Sequence, residues 1–111
     1  MSESNSPAAR AEALAIECLE RVWGPGHELE AIDELMTEDY RITSGGVVIE
    51  GRPAFKEWVR SFQRLLGDAR TVNAEAFADE LGERVVSRWT CSGTNRGLFG
   101  LPPDDRPISF T

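Results

Sequence analysis

The chain predicts an α+β domain, because helical periodicities lead, strand alternations follow, and no repeat, low-complexity tract or linker interrupts them. At 111 residues it suits one domain with its own core. Residues 1–6 read as a disordered lead-in and residues 7–111 as the domain. Ser6-Pro7 opens the first helix, a serine cap followed by proline at the first helical position. Ala11, Leu14, Ala15, Cys18, Leu19 and Val22 then recur at helical spacing, and Gly24-Pro25-Gly26 stops the run. A second, short helix spans Leu29 to Met36, with Leu29, Ile32, Leu35 and Met36 on its apolar stripe.

Tyr40-Arg41-Ile42-Thr43 alternates like a strand, Ser44-Gly45-Gly46 turns, and Val47-Val48-Ile49 returns, which makes a hairpin. Gly51-Arg52-Pro53 opens the third helix. Its apolar face carries Phe55, Trp58, Val59, Phe62, Leu65 and Leu66, and Gly67 is expected to close it. Strands follow at Thr71–Phe77, Glu83–Gly93 and Pro107–Thr111, the first two joined by the turn Asp79-Glu80-Leu81-Gly82. An antiparallel sheet with helices on one face can curl into a cone whose mouth excludes water, a natural pocket for a small molecule.

Composition narrows the partners. A formal charge of −7 and scattered arginines, with Lys56 the one lysine, argue against nucleic acid, whose phosphates would be repelled. No apolar run approaches the roughly 20 residues of a membrane span, and Met1-Ser-Glu-Ser-Asn-Ser lacks the regions of a signal peptide, so a cytoplasmic protein is expected. Two cysteines and one histidine without metal-ligand spacing argue against zinc, and Cys18 and Cys91 read as buried free thiols. His27 reads as a solvated loop histidine.

The run Arg88-Trp89-Thr90-Cys91-Ser92-Gly93-Thr94-Asn95-Arg96-Gly97 is the most informative. Strand alternation puts Trp89, Cys91, Gly93 and Asn95 on one face, apolar with a polar group near its end, as pockets are lined. Arg88 falls on the other face, suited to pairing with an acid across the sheet.

Several segments resemble a known family. Trp23, Gly26, Leu29-Glu30-Ala31-Ile32-Asp33-Glu34-Leu35 and Glu38-Asp39-Tyr40 are similar to the opening of SnoaL-like proteins. Ile49-Glu50-Gly51-Arg52-Pro53-Ala54-Phe55 resembles the start of their third helix. Arg88-Trp89-Thr90, Gly93-Thr94-Asn95-Arg96-Gly97, Gly100-Leu101-Pro102-Pro103 and Arg106-Pro107-Ile108-Ser109-Phe110-Thr111 resemble their most recognisable part. The likeness spans about residues 14–111. It implies a SnoaL-like polyketide cyclase domain of the NTF2-like superfamily: a curved antiparallel sheet wrapped around N-terminal helices, with a pocket inside. It further implies no cofactor and no metal, and a homodimer through the sheet. The activity implied is acid/base chemistry beside a carbonyl, by aldol ring closure or isomerisation. A non-catalytic ligand-binding or assembly module is the alternative, and an epoxide hydrolase the third reading.

The family's histidine in its Gly-Thr-His-x-Gly motif is Asn95 here, and an amide can donate a hydrogen bond but cannot shuttle protons. The resemblance places the cyclases' acid/base aspartate in a strand after the Phe-Thr, so the base is expected beyond Thr111 or the sheet is completed by a partner chain, the alternative being that this protein lacks the usual base. Candidate catalytic residues are therefore Asn95, to orient a carbonyl or enolate oxygen, and Tyr40, as acid or oxyanion donor. Candidate ligand-binding residues are Trp89, Cys91, Asn95, Tyr40, Trp58, Phe62 and Trp23, suited to a small apolar or polycyclic ligand. Asp104 and Asp105, in a proline-rich turn, read as solvated turn residues.

Overall fold

The computed structural model describes residues 6–24, 26 and 28–111. The Ser6 hydroxyl accepts from the Ala9 amide at 3.0 Å and opens α1, Pro7–Trp23, with Pro7 in the first turn. The N-terminal lead-in through Asn5, Pro25 and His27 lie outside the described residues. A five-residue helix, α2 (Ala31–Leu35), follows. It is shorter than the predicted Leu29–Met36, because Leu29 and Glu30 are taken up by a tight turn whose carbonyls bond three residues ahead. Arg21 fixes that turn from α1. Its guanidinium reaches Glu17, Glu28 and Glu34 at 2.9–3.0 Å, and its carbonyl accepts from the Glu28 amide.

The predicted hairpin forms from β1 (Arg41–Ser44) and β2 (Val47–Glu50), paired antiparallel from Arg41↔Glu50 to Ser44↔Val47. Gly45 and Gly46 take φ of 56° and 82°, the two positive values that a type I′ turn requires. Helix α3 runs from Arg52 to Leu65 and passes directly into β3, Leu66–Ala78. Gly67 therefore does not close the helix as predicted. It is a β3 residue paired with Thr94, and a Cβ there would lie 2.7 Å from the Arg96 guanidinium. β3 begins five residues before the predicted start and contains two register irregularities, between Gly67 and Arg70 and between Asn73 and Glu75.

β3, β4 (Val85–Asn95) and β5 (Pro107–Phe110) form an antiparallel sheet in the order β3-β4-β5. On its outer face Phe77 opposes Val86, and Arg88 lies beside Glu75 at 3.2 Å, the cross-strand pair its position predicts. The other face meets α1. The Glu12 carboxylate accepts from the Ala78 amide at 3.1 Å, and Gly82 of the β3–β4 turn lies so close to the Pro7 carbonyl that no side chain fits.

Two separate cores result. Val22, Ala31, Ile32, Phe55 and Val59 form the first, where the three helices meet. Leu66, Ala69, Cys91 and Leu98 form the second, under the sheet. No described helix is long and apolar enough to cross a membrane.

Candidate functional site

Between the two cores lies a cavity of about 860 Å³, within the usual range for a small-molecule site. Its walls are the rings that shield each core. Trp23, Tyr40 and Trp58 pack against the helical core, and Phe62, Trp89 and Phe110 against the core under the sheet. The apolar stripe of α1, with Leu14, Cys18 and Leu19, supplies a further side. β4 contributes Val85, Ser87, Trp89 and Cys91, every second residue, as strand alternation demands.

Aromatic side chains are concentrated here. Phe99 meets Phe110 at 5.2 Å, and Phe110 meets Phe62 at 6.3 Å and Trp89 at 6.0 Å. Phe62 meets Trp23 at 5.2 Å, Trp23 meets Trp58 at 5.6 Å and Phe55 at 6.1 Å, and Phe55 meets Tyr40 at 5.1 Å. Most of these contacts are edge-to-face, the arrangement the ring quadrupole favours. One continuous ladder thus joins every aromatic residue of the chain except Phe77, which is exposed on the outer face of the sheet.

Six of the seven side chains singled out from the sequence for binding lie on this wall: Trp23, Tyr40, Trp58, Phe62, Trp89 and Cys91. Asn95 does not. Only 5% exposed, it is enclosed by the loop that follows β4. Its Nδ2 donates to the Pro102 carbonyl at 3.0 Å and to Asp104 Oδ1 at 3.2 Å. Its Oδ1 accepts from the Gly97 and Leu98 amides at 3.0 and 3.1 Å. No hydrogen-bonding capacity is left for a ligand oxygen, so this amide organises the turn. Asp104, predicted as a solvated turn residue, is a partner in that clamp and also accepts from the Arg106 amide.

The wall's ionisable groups are mostly held neutral. Burial pushes the Tyr40 hydroxyl above its ordinary range, and Cys18 beside it adds to the shift. Burial raises both thiols as well, reinforced at Cys18 by Glu17 and opposed at Cys91 by a hydrogen bond with Thr71. Glu83, on the β3–β4 turn, is the carboxylate on the lining, and no His/Cys/Asp/Glu group suited to a metal occurs among the described residues. The cavity therefore offers an apolar surface, a phenolic donor, thiols, a few hydroxyls and the exposed Glu83 carboxylate.

These shifts have a consequence for stability. A folded-state pKa above the unfolded one gives stability that is complete below the unfolded values, 9.0 for the thiols and 10.0 for tyrosine, and is lost as pH rises through the raised values. The urea midpoint is expected to stay level, as far as these groups are concerned, between about pH 6 and 8 and to fall above about 9. The triple variant Cys18→Val, Cys91→Val, Tyr40→Phe should flatten that alkaline fall, and an unchanged fall would show that other groups cause it.

Helices packed against an antiparallel sheet, with a hollow between them, give the mixed α+β fold of NTF2-like domains. More narrowly, the family model for the SnoaL-like domain matches residues 17–111, and the chain belongs to that family. Solved structures agree on the fold. A candidate SnoaL-like polyketide cyclase from Jannaschia sp. CCS1 superposes with a TM-score of 0.81 at 16% identity, over 98% of this chain and 76% of that one. A candidate polyketide cyclase from Acidithiobacillus ferrooxidans gives 0.75 at 23% identity, over 98% and 76%. AclR from Streptomyces galilaeus, described as a candidate hydroxylase, gives 0.70 at 20% identity, over 91% and 73%. No curated protein matches the chain.

Phe99 was missed from sequence, where Gly97-Leu98-Phe99-Gly100 reads as a bend without periodicity. The lining role of the α1 stripe was missed too, since a cavity wall and a core face have the same apolar spacing.

Proposed function

We propose that this domain binds a small, largely apolar, ring-bearing molecule in the cavity, with the Tyr40 hydroxyl donating a hydrogen bond to an oxygen on that molecule. The aromatic ladder carries this reading. Rings that could have filled a core instead border a hollow of about 860 Å³, and flat apolar ligands gain most from such walls. Tyr40 suits the donor role because its phenol is protonated near neutral pH, and burial pushes its titration further above the ordinary 10.0.

Titration with a polycyclic aromatic ketone tests the proposal, read through the fluorescence of Trp23, Trp58 and Trp89, which all line the cavity. Saturable quenching is expected. Tyr40→Phe should weaken the ketone by about three- to tenfold, as one net hydrogen bond is worth, and leave the parent hydrocarbon unaffected. Absence of saturable binding by both compounds would overturn the reading.

Glu83 favours a second, catalytic reading: cofactor-free removal of a proton beside the ligand's carbonyl, the step common to aldol ring closure and isomerisation. Glu83 would accept the proton while Tyr40 donates to the developing enolate oxygen. Deuterium exchange at the carbon beside the ketone, followed by NMR, separates the two readings. Exchange that requires Glu83 supports catalysis, and its absence with binding intact supports a carrier or sensor.

A further inference from the structure

We infer that Phe99 is a specificity-determining residue of the cavity, selecting flat aromatic ligands over saturated ones of similar size; the inference rests on the ligand-binding reading above. Phe99 is 68% exposed, an unusual state for phenylalanine, yet it lines the cavity and contacts Phe110 edge-on at 5.2 Å. The chain holds it there against local preference. Its φ is 57°, in the left-handed region that bulky residues avoid, and glycine would occupy that backbone freely.

The surrounding turn explains how the conformation persists. Leu98, 2% exposed, plugs the core under the sheet, while its neighbour Phe99 is turned outwards. Gly97 at φ 113° and Gly100 at φ 74° supply the backbone freedom on either side. Asn95 Oδ1 accepts from both the Gly97 and Leu98 amides, so the residues leading into Phe99 are fixed by a buried clamp. A strained, exposed ring on a rigid mount, at the end of an aromatic ladder that continues along the wall, is placed to cover the face or edge of a bound ring. An aliphatic side chain would supply apolar area there but no ring quadrupole to distinguish aromatic from saturated ligands.

The test uses the intact chain and two probes: N-phenyl-1-naphthylamine, by fluorescence titration, and n-dodecanol, by its displacement of that dye. The variants are Phe99→Gly, which relieves the backbone strain, Phe99→Tyr, which keeps the ring, and Phe77→Ala, which removes the aromatic outside the ladder. Phe99→Gly should keep or raise Tm while weakening the naphthylamine about five- to tenfold, the value of one aromatic contact. Dodecanol should change less than about twofold, Phe99→Tyr should bind as the parent does, and Phe77→Ala should have no effect. Unchanged naphthylamine affinity in Phe99→Gly, or equal loss of both probes, overturns the role of Phe99 alone. Failure of the unaltered chain to bind either probe overturns the cavity reading with it.

Discussion

Replacing Phe55 by alanine is expected to destabilise the domain by about 3–5 kcal/mol, the cost of deleting a fully buried ring. For a chain of this size that lowers Tm by roughly 10–20 °C. Phe55 is 0% exposed and central to the helical core, within 6.1 Å of the Trp23 ring, 5.1 Å of Tyr40 and 6.0 Å of Trp58. Those rings also line the cavity, so they cannot all collapse into the space vacated without giving up the wall they form. Trp58→Ala is the internal comparison. From its helical spacing Trp58 reads as core and would carry the same cost, but it is only half-buried and one side faces the hollow. Its loss should cost about 2 kcal/mol, since less apolar area leaves water on folding. Urea and thermal unfolding of both variants give the two values. A Phe55→Ala cost below about 1 kcal/mol would mean that the helices are not held together at this ring.

How much was legible beforehand depended on whether a feature was local. The Ser6-Pro7 cap, the Gly45-Gly46 turn and the alternation along β4 are each decided within a few residues, and the chain adopts them. So is the face of β4: Trp89 and Cys91 share one side with Val85 and Ser87, and that side meets the cavity. What failed was non-local. Gly67 has the spacing of a helix stop, but its function is set by Arg96, nearly thirty residues on, whose guanidinium occupies the space of a Cβ. The α2 boundary moved because Arg21 of α1 binds Glu28 and draws the preceding turn tight. Asn95 obeys alternation only until β4 ends beside it. The segment Pro102–Arg106 then folds back to meet its side-chain amide nitrogen and both backbone groups, while Gly97 and Leu98 take its side-chain oxygen, which no local pattern anticipates.

Asn95→Ala should therefore act on stability before it acts on any ligand. The side chain makes four hydrogen bonds, and the backbone adds two, its amide donating to the Arg106 carbonyl at 2.9 Å and its carbonyl accepting from the Asp105 amide at 3.0 Å. Alanine keeps the backbone pair and strands the rest. The Leu98 amide is the costliest to orphan, because Leu98 is buried and water does not readily reach its backbone. With one or two donors left unsatisfied at about 1–3 kcal/mol each, a total near 2–4 kcal/mol is expected. Asn95→Asp retains the acceptor for Gly97 and Leu98 but exchanges the donors to Pro102 and Asp104 for a carboxyl group facing Asp104, so it should rescue little. Hydrogen exchange gives the sharper readout: the Gly97 and Leu98 amides should lose protection in Asn95→Ala, while the β3–β4 ladder between Thr71 and Cys91 keeps it. Equal protection in variant and parent at those two amides would show that the clamp does not hold the turn, and the mount on which Phe99 stands would need another source of rigidity.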